Sequence, residues 1–184
     1  REVKKEDGTK EMKIYHFIKS FPVFNWDQTE GVPKKEAGLA LDPDRDLIEV
    51  CDSVLNGMPN PPTYREGGNS AYYAPGDDLV NLPPIETFKT TEGYMATKFH
   101  EYAHSTGHKT RLNRPGVMGV AAFGSDDYGF EELVAELTSS YLCAINGIDN
   151  TLDNSSAYIQ NWLGVLRNDK SMLLKASGKA TMAV

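Results

Sequence analysis

The stretch Phe99-His100-Glu101-Tyr102-Ala103-His104 constrains this chain more than any other, because it spells His-Glu-x-x-His inside a segment of helical character. Residues four apart share one face of a helix, so the imidazoles of His100 and His104 can reach a single ion while Glu101 lies beside it. Two histidines are an incomplete set: a catalytic zinc site needs a third protein ligand and keeps one position open for water. A carboxylate next to that water can take its proton, which points to a metal hydrolase. The pattern also arises by accident, but three of the chain's four histidines fall between positions 100 and 108. The discriminating question is whether a third ligand stands on another helix.

The acid-rich segment that follows offers one. Ser125-Asp126-Asp127 can cap a helix over residues 128–146, with Phe130, Leu133, Val134, Leu137, Tyr141 and Leu142 apolar and Gly147 as its stop. Glu132 and Glu136 are four apart and abut that stripe, where an inward carboxylate is costly unless paired or metal-bound. Glu131 reads as a solvated helix edge. Glu132 is therefore the expected ligand and Glu136 the expected acceptor of an imidazole N–H, with the reverse assignment open. A rival pattern places a third histidine after a glycine turn. Gly107 stands where that glycine should, but Thr110 occupies the histidine position and His108 is displaced.

The histidine helix is expected to begin at Thr90 or Thr91, with Glu92 in its first turn, and to run to about Gly107. Met95, Phe99, Tyr102, Ala103 and Thr106 form a side that can pack on a sheet, which leaves Ala96, His100 and His104 on an adjoining side. The site therefore lies at the edge of the core. The arrangement implies amide hydrolysis with Glu101 as proton acceptor and donor. Tyr72, Tyr73, His108 and Tyr128 are the candidates to stabilise an oxyanion or touch substrate.

Upstream, the charged residues 1–10 read as a linker or frayed end. Residues 13–25 are dense in β-branched and aromatic side chains and read as one or two strands broken at Pro22, with His16 a half-buried strand residue. Residues 26–41 read as loop. Leu47, Ile48, Cys51 and Leu55 recur at helical spacing before Gly57. Strand and turn signals alternate from Thr63 to Leu82, through Gly67-Gly68-Asn69 and Pro75-Gly76-Asp77-Asp78, and suggest a small antiparallel meander. Residues 108–124 read as a long excursion flanking the cleft. Helices are expected over about 155–167 and 170–180.

At 184 residues and 40% apolar content the chain suffices for one domain with a single core. Its formal charge of −7 argues against this segment gripping a phosphate backbone by itself. Cys51 and Cys143 have no C-x-x-C partner and are expected reduced and buried, as in cytoplasm. No stretch is apolar and long enough to span a bilayer.

With these residues in view, the sequence resembles the zincin-like metallopeptidase domain of the ArdC-type antirestriction proteins of plasmids and other mobile elements. The blocks that carry the resemblance run in order from Val23-Phe24-Asn25, Gln28 and Glu30-Gly31 to Gly67-Gly68-Asn69 with Ala71-Tyr72-Tyr73, then Leu82-Pro83-Pro84. They continue through the histidine block to Gly107-His108, Arg111-Leu112-Asn113-Arg114, Phe123-Gly124, Tyr128, Phe130 to Leu137, Trp162, Leu166 and Asn168-Asp169-Lys170. The resemblance implies an α+β zincin fold, with a small antiparallel or mixed sheet packed on the active-site helix and a C-terminal helical bundle. It implies a metal, expected as Zn2+ or another divalent transition ion, held by His100, His104 and a glutamate of the Glu132 block, with Glu101 as base. It further implies one zincin domain over residues 12–184 after a linker of 1–11, and a single-stranded-DNA-binding domain ahead of it in the full protein. The expected substrate is a protein or peptide, in the cytoplasm and away from membranes. The competing expectation is a catalytically silent zincin-shaped module that docks a restriction enzyme or a DNA-bound protein.

Overall fold

The computed structural model describes residues 2–4, 10–12, 22, 28–33, 46–118, 126–148, 166, 169 and 171–184, with 2–4, 10–12 and 126–128 described through their backbone alone. The expected strand over 13–25 with His16, most of the loop over 26–41 and the helix over 155–167 fall outside the described residues, save positions 22, 28–33 and 166. Two compact units are present, Arg1–Ala40 and Leu41–Val184. In the first, β1 (Glu2–Lys4) pairs antiparallel with β2 (Lys10–Met12), where the charge-rich sequence suggests only a frayed end. Backbone pairing needs no apolar period, which is why composition missed it.

The second unit is organised around one helix. Preceding it, α1 (Leu47–Asn56) starts at Asp46, whose side chain accepts the backbone N–H groups of Ile48 and Glu49 at 2.9 and 3.1 Å. It buries Cys51 and Leu55, both at the helical spacing the sequence displays. After β3 (Thr63–Glu66), β4 (Tyr72–Ala74) and β5 (Leu79–Leu82) comes α2 (Thr91–Ser105). Thr90 caps it by accepting the Gly93 N–H at 3.0 Å, as the sequence leads one to expect. Tyr94, Met95, Phe99 and Tyr102 of α2 then enter one apolar cluster with Cys51 and Leu55 of α1 and Val80 and Leu82 of β5.

The sheet corrects the expected meander. Its order is β3-β5-β4, with β3 parallel and β4 antiparallel to β5, so the last strand lies in the middle. Burial explains the choice: Val80, Asn81 and Leu82 of β5 are buried, whereas all four residues of β3 are exposed, and the strand with most apolar surface to hide takes the centre. Pairing also sorts the faces. Tyr64, Val80 and Tyr73 are cross-strand neighbours, as are Arg65, Asn81 and Tyr72, so these two rows lie on opposite sides. The Val80 row faces α2.

Polar anchors lock these elements together. Lys98 of α2, buried, pairs with Asp52 of α1 at 2.6 Å and lies 4.7 Å from the centre of the Tyr64 ring of β3. Past α2, a short α3 (Pro115–Met118) interrupts what the sequence presents as loop. Helix α4 (Asp126–Ile145) packs on α2, and α5 (Ser171–Ala183) packs on α4. Gly147 closes α4 with φ of 68°, which lets the Ile148 N–H reach the Cys143 carbonyl at 2.8 Å. Both cysteines are buried, and neither forms a disulfide among the described residues. Among the described residues no helix is long and apolar enough to cross a membrane.

Candidate metal centre

Packing α4 against α2 brings the histidine pair and the acid-rich face together. One ligand atom each from His100, His104 and Glu132 lie within 4.8 Å of one another. The two Nε2 atoms are 3.1 Å apart, and Glu132 places its oxygens 3.6 Å from that of His100 and 3.5 Å from that of His104. All three residues are half-buried. Two imidazole nitrogens and a carboxylate converging on one point form a donor set that suits a divalent metal.

The outer ring nitrogens are also engaged. Nδ1 of His100 lies 3.2 Å from Glu136, the residue the sequence assigns to that task. Nδ1 of His104 lies 3.5 Å from Glu131, which the sequence reading left on a solvated edge. That reading of Glu131 is overturned, since the residue is only 4% exposed. Arg114 makes its burial tolerable by donating from Nε at 2.9 Å and from Nη2 at 2.6 Å to the two carboxylate oxygens. The same guanidinium donates to Thr106 Oγ1 at 2.6 Å and to the Ala103 carbonyl at 2.8 Å, so it ties α4 to the end of α2. Gly107 permits this approach: a Cβ there would run into Val117 and stand 3.1 Å from Arg114 Cζ. Arg114 went unassigned in the sequence reading. The only signal was its place in a block of the family resemblance.

Electrostatics follow from this packing. Burial would lower the pKa of His100, but the carboxylates of Glu132 and Glu136 outweigh it and raise the ring above its ordinary value in the metal-free protein. Glu101 is 8% exposed. Burial raises its carboxyl most, while the two neighbouring histidines and a hydrogen bond from the Tyr73 backbone N–H act in the opposite direction. Burial would raise Glu131 as well, yet the Arg114 guanidinium and His104 hold it below the usual carboxylate range.

Of the residues expected to stabilise an oxyanion, three have their polar side-chain atoms engaged with groups other than the metal ligands. Tyr72 accepts from Arg65 Nη2 at 2.7 Å, on the side of the sheet opposite Val80. The Tyr73 hydroxyl donates to Asp78 at 2.8 Å, and only its backbone touches Glu101. His108 is buried, with Nδ1 2.8 Å from Thr110 Oγ1. The side chain of Tyr128 is outside the described residues.

An edge strand beside a two-histidine helix, faced by a second helix carrying glutamates, is the arrangement of a zincin. The family comparison agrees: residues 60–179 match the zincin-like metallopeptidases (MPTase-PolyVal), and the chain belongs to that family. More particularly, it is similar to the antirestriction protein ArdC of plasmid R388, as the sequence leads one to expect. The Mn(II)-bound ArdC structure is 35% identical with a TM-score of 0.65, over 98% of this chain and 63% of that one. The metal-free ArdC structure is 36% identical with a TM-score of 0.64, over 99% and 64%. Among curated proteins, the uncharacterized protein y4eC of Sinorhizobium fredii is 33% identical over 165 residues, 89% of this chain and 52% of its own. A DNA primase TraC of Escherichia coli is 32% identical over 159 residues, 86% of this chain and 14% of its own. The chain thus spans about half of y4eC, a small part of the primase and just under two thirds of ArdC. The fold class, an α+β zincin with a small mixed sheet, is thereby shown.

Proposed function

We propose that this chain is a divalent-metal-dependent peptidase domain, with His100, His104 and Glu132 holding the ion and Glu101 acting as the base. The observation that carries the reading is the convergence within 4.8 Å of ligand atoms from two histidines of α2, the helix that also buries Glu101, and one glutamate of α4. Zinc suits this nitrogen and oxygen set, and the Mn(II) in the ArdC structure indicates that a related chain accepts another divalent ion. When bound, the ion supplies Lewis acidity, lowering the pKa of a water and polarising a carbonyl. Glu101 takes the proton that water gives up as the new C–O bond forms, and returns it to the amine nitrogen as the C–N bond breaks. Its burial suits the task, because a carboxylate kept from water holds a proton more readily. Glu136 and Glu131 hold the outer nitrogens of the two rings and so fix which nitrogen faces the ion. The edge strand β4 offers its outer backbone to an extended peptide, which would lie along it beside Glu101. The setting we infer is a cytoplasmic protein of a mobile element with an antirestriction role, after the relative that bears that name.

The test is metal content and proteolysis of the parent, Glu132→Ala and Glu101→Gln, with an unfolded protein mixture as substrate and mass spectrometry as readout. The expected result is metal bound by the parent and by Glu101→Gln but lost from Glu132→Ala, with new peptide termini from the parent alone. A parent that binds metal and never cuts would leave a docking module as the better reading.

A further inference from the structure

The loop from β3 to β4, with its Gly67-Gly68-Asn69 motif, takes no part in the metal centre. It walls a cavity of about 220 Å³ together with Arg65, Tyr72 and Asn81. Asn81, buried at 3% exposure, shapes the loop by donating from Nδ2 to the carbonyls of Gly67 and Ser70, each at 2.9 Å. Gly68 makes the bend with φ of 69°, a backbone state that favours glycine. With two carbonyls turned onto Asn81, the N–H groups of Gly68, Asn69 and Ser70 have no acceptor among the described residues.

Arg65 completes the lining. Its Nε donates to Asn81 Oδ1 at 2.9 Å and its Nη2 to the Tyr72 hydroxyl at 2.7 Å. Both partners are neutral, and no carboxylate among the described residues pairs with this guanidinium. Two neutral contacts fix the direction of the fork and leave its charge and Nη1 donors unused, which is a preorganised site for a planar anion. The cavity is smaller than the roughly 300–1,000 Å³ of sites for whole small molecules and suits one side chain.

We propose that this cavity is a subsite for a carboxylate of the bound peptide, an acidic side chain or a chain terminus. The proposal rests on the peptidase reading for its partner and on geometry for its place. Tyr72 is both a wall of the cavity and the first residue of β4, and the next residue, Tyr73, hydrogen-bonds Glu101 through its backbone. A peptide laid along β4 therefore passes the cavity about one strand residue, roughly 3.3 Å, from the position opposite Glu101. A lone guanidinium on a chain of net charge −7 is a poor grip for a polyphosphate backbone.

The probe is a set of short peptides titrated into 15N-labelled Glu101→Gln protein, followed through the backbone signals of Gly68, Asn69 and Ser70. The set holds an end-blocked peptide with one Glu, the same peptide with Gln, and the Gln peptide with a free C-terminal carboxylate, alongside inorganic phosphate and a short oligothymidylate. The expected result is that the Glu peptide moves these signals and the blocked Gln peptide does not. Arg65→Gln should weaken that response about tenfold, as befits loss of a charge-assisted hydrogen bond, and Arg65→Lys should restore part of it. A response to the free terminus in place of Glu would name the terminus as the source of the carboxylate. Shifts with phosphate or oligonucleotide but with neither carboxylate, or no shifts at all, would overturn the proposal, and the signals of the Glu101→Gln protein with Arg65 intact decide this even if Arg65 variants misfold. Because these probes need no turnover, a chain that binds the Glu peptide here but cuts nothing would refute the peptidase reading and leave the subsite standing.

Discussion

Arg111 and Arg114 leave the same turn three residues apart, and each clamps a carboxylate, yet they serve opposite walls of the site. Arg114 reaches α4, where it holds Glu131 against His104 with both partners almost entirely buried. Arg111 reaches the sheet, where it pairs with Asp78 in the turn between β4 and β5, donates to Ser105 and Asn60 carbonyls at 2.7 Å each, and lies 3.4 Å from the Tyr73 hydroxyl. One arginine thus sets the ligand wall and the other sets the edge strand against which Glu101 rests. Residues 111–114, which the sequence presents as part of a long excursion, bracket the two walls.

The sharpest way to break this comparison is Arg114→Met, which strands the buried Glu131 charge and should cost about 3–5 kcal/mol in urea unfolding. Adding Glu131→Leu should recover most of that loss, because an apolar pair of similar size replaces an unpaired ion. If the double variant is no better than the single one, Arg114 matters through Thr106 and Ala103 and not through Glu131. Next in size is the metal itself. A divalent ion present at a hundred times its Kd should stabilise the parent by about 2.7 kcal/mol in thermal unfolding and leave Glu132→Ala unmoved. Equal stabilisation of both would place the ion elsewhere.

On the other wall, Arg111→Met should cost about 1–3 kcal/mol, less than Arg114→Met, since Asp78 keeps access to water. Its distinguishing mark is a loss of turnover with metal affinity intact, measured by proteolysis beside metal titration. The smallest effect is one of pH. Burial works to raise the Asp78 pKa, but hydrogen bonds from Arg111 and Tyr73 hold it below the ordinary carboxyl value. A depressed folded pKa gives stability that is complete above the unfolded pKa and lost as pH falls through the folded one. Asp78→Asn, which keeps a side chain suited to the residue's φ of 48°, should therefore differ from the parent at neutral pH and converge with it in acid. A difference that persists in acid would mean that geometry, not charge, is at stake.

Sequence reading reached the parts of this structure that are encoded within a few turns of chain. Spacing alone put Met95, Phe99 and Tyr102 in the core and His100 and His104 at its border, and the cap is Thr90, one of the two adjacent threonines the sequence offers. Glu132 and Glu136 were separable from solvent-facing acids because they share a face. Glu131 was not, since consecutive helix residues differ by about 100° in direction and which direction is buried depends on what packs there. What packs there is Arg114, 17 residues earlier, and no local pattern announces such a meeting. Strand order failed for the same reason: alternation marks strands but does not say which of them pair.

That strand order has a consequence for how the unit assembles. Strands β3 and β4 precede β5 in the chain but touch in the sheet only through it. The antiparallel pairing of β4 with β5 across residues 75–78 is a local hairpin, whereas the parallel pairing of β3 with β5 must close a longer stretch of chain. The sheet is therefore completed by its last and most buried member, and amides of β4 should gain protection from exchange no later than those of β3.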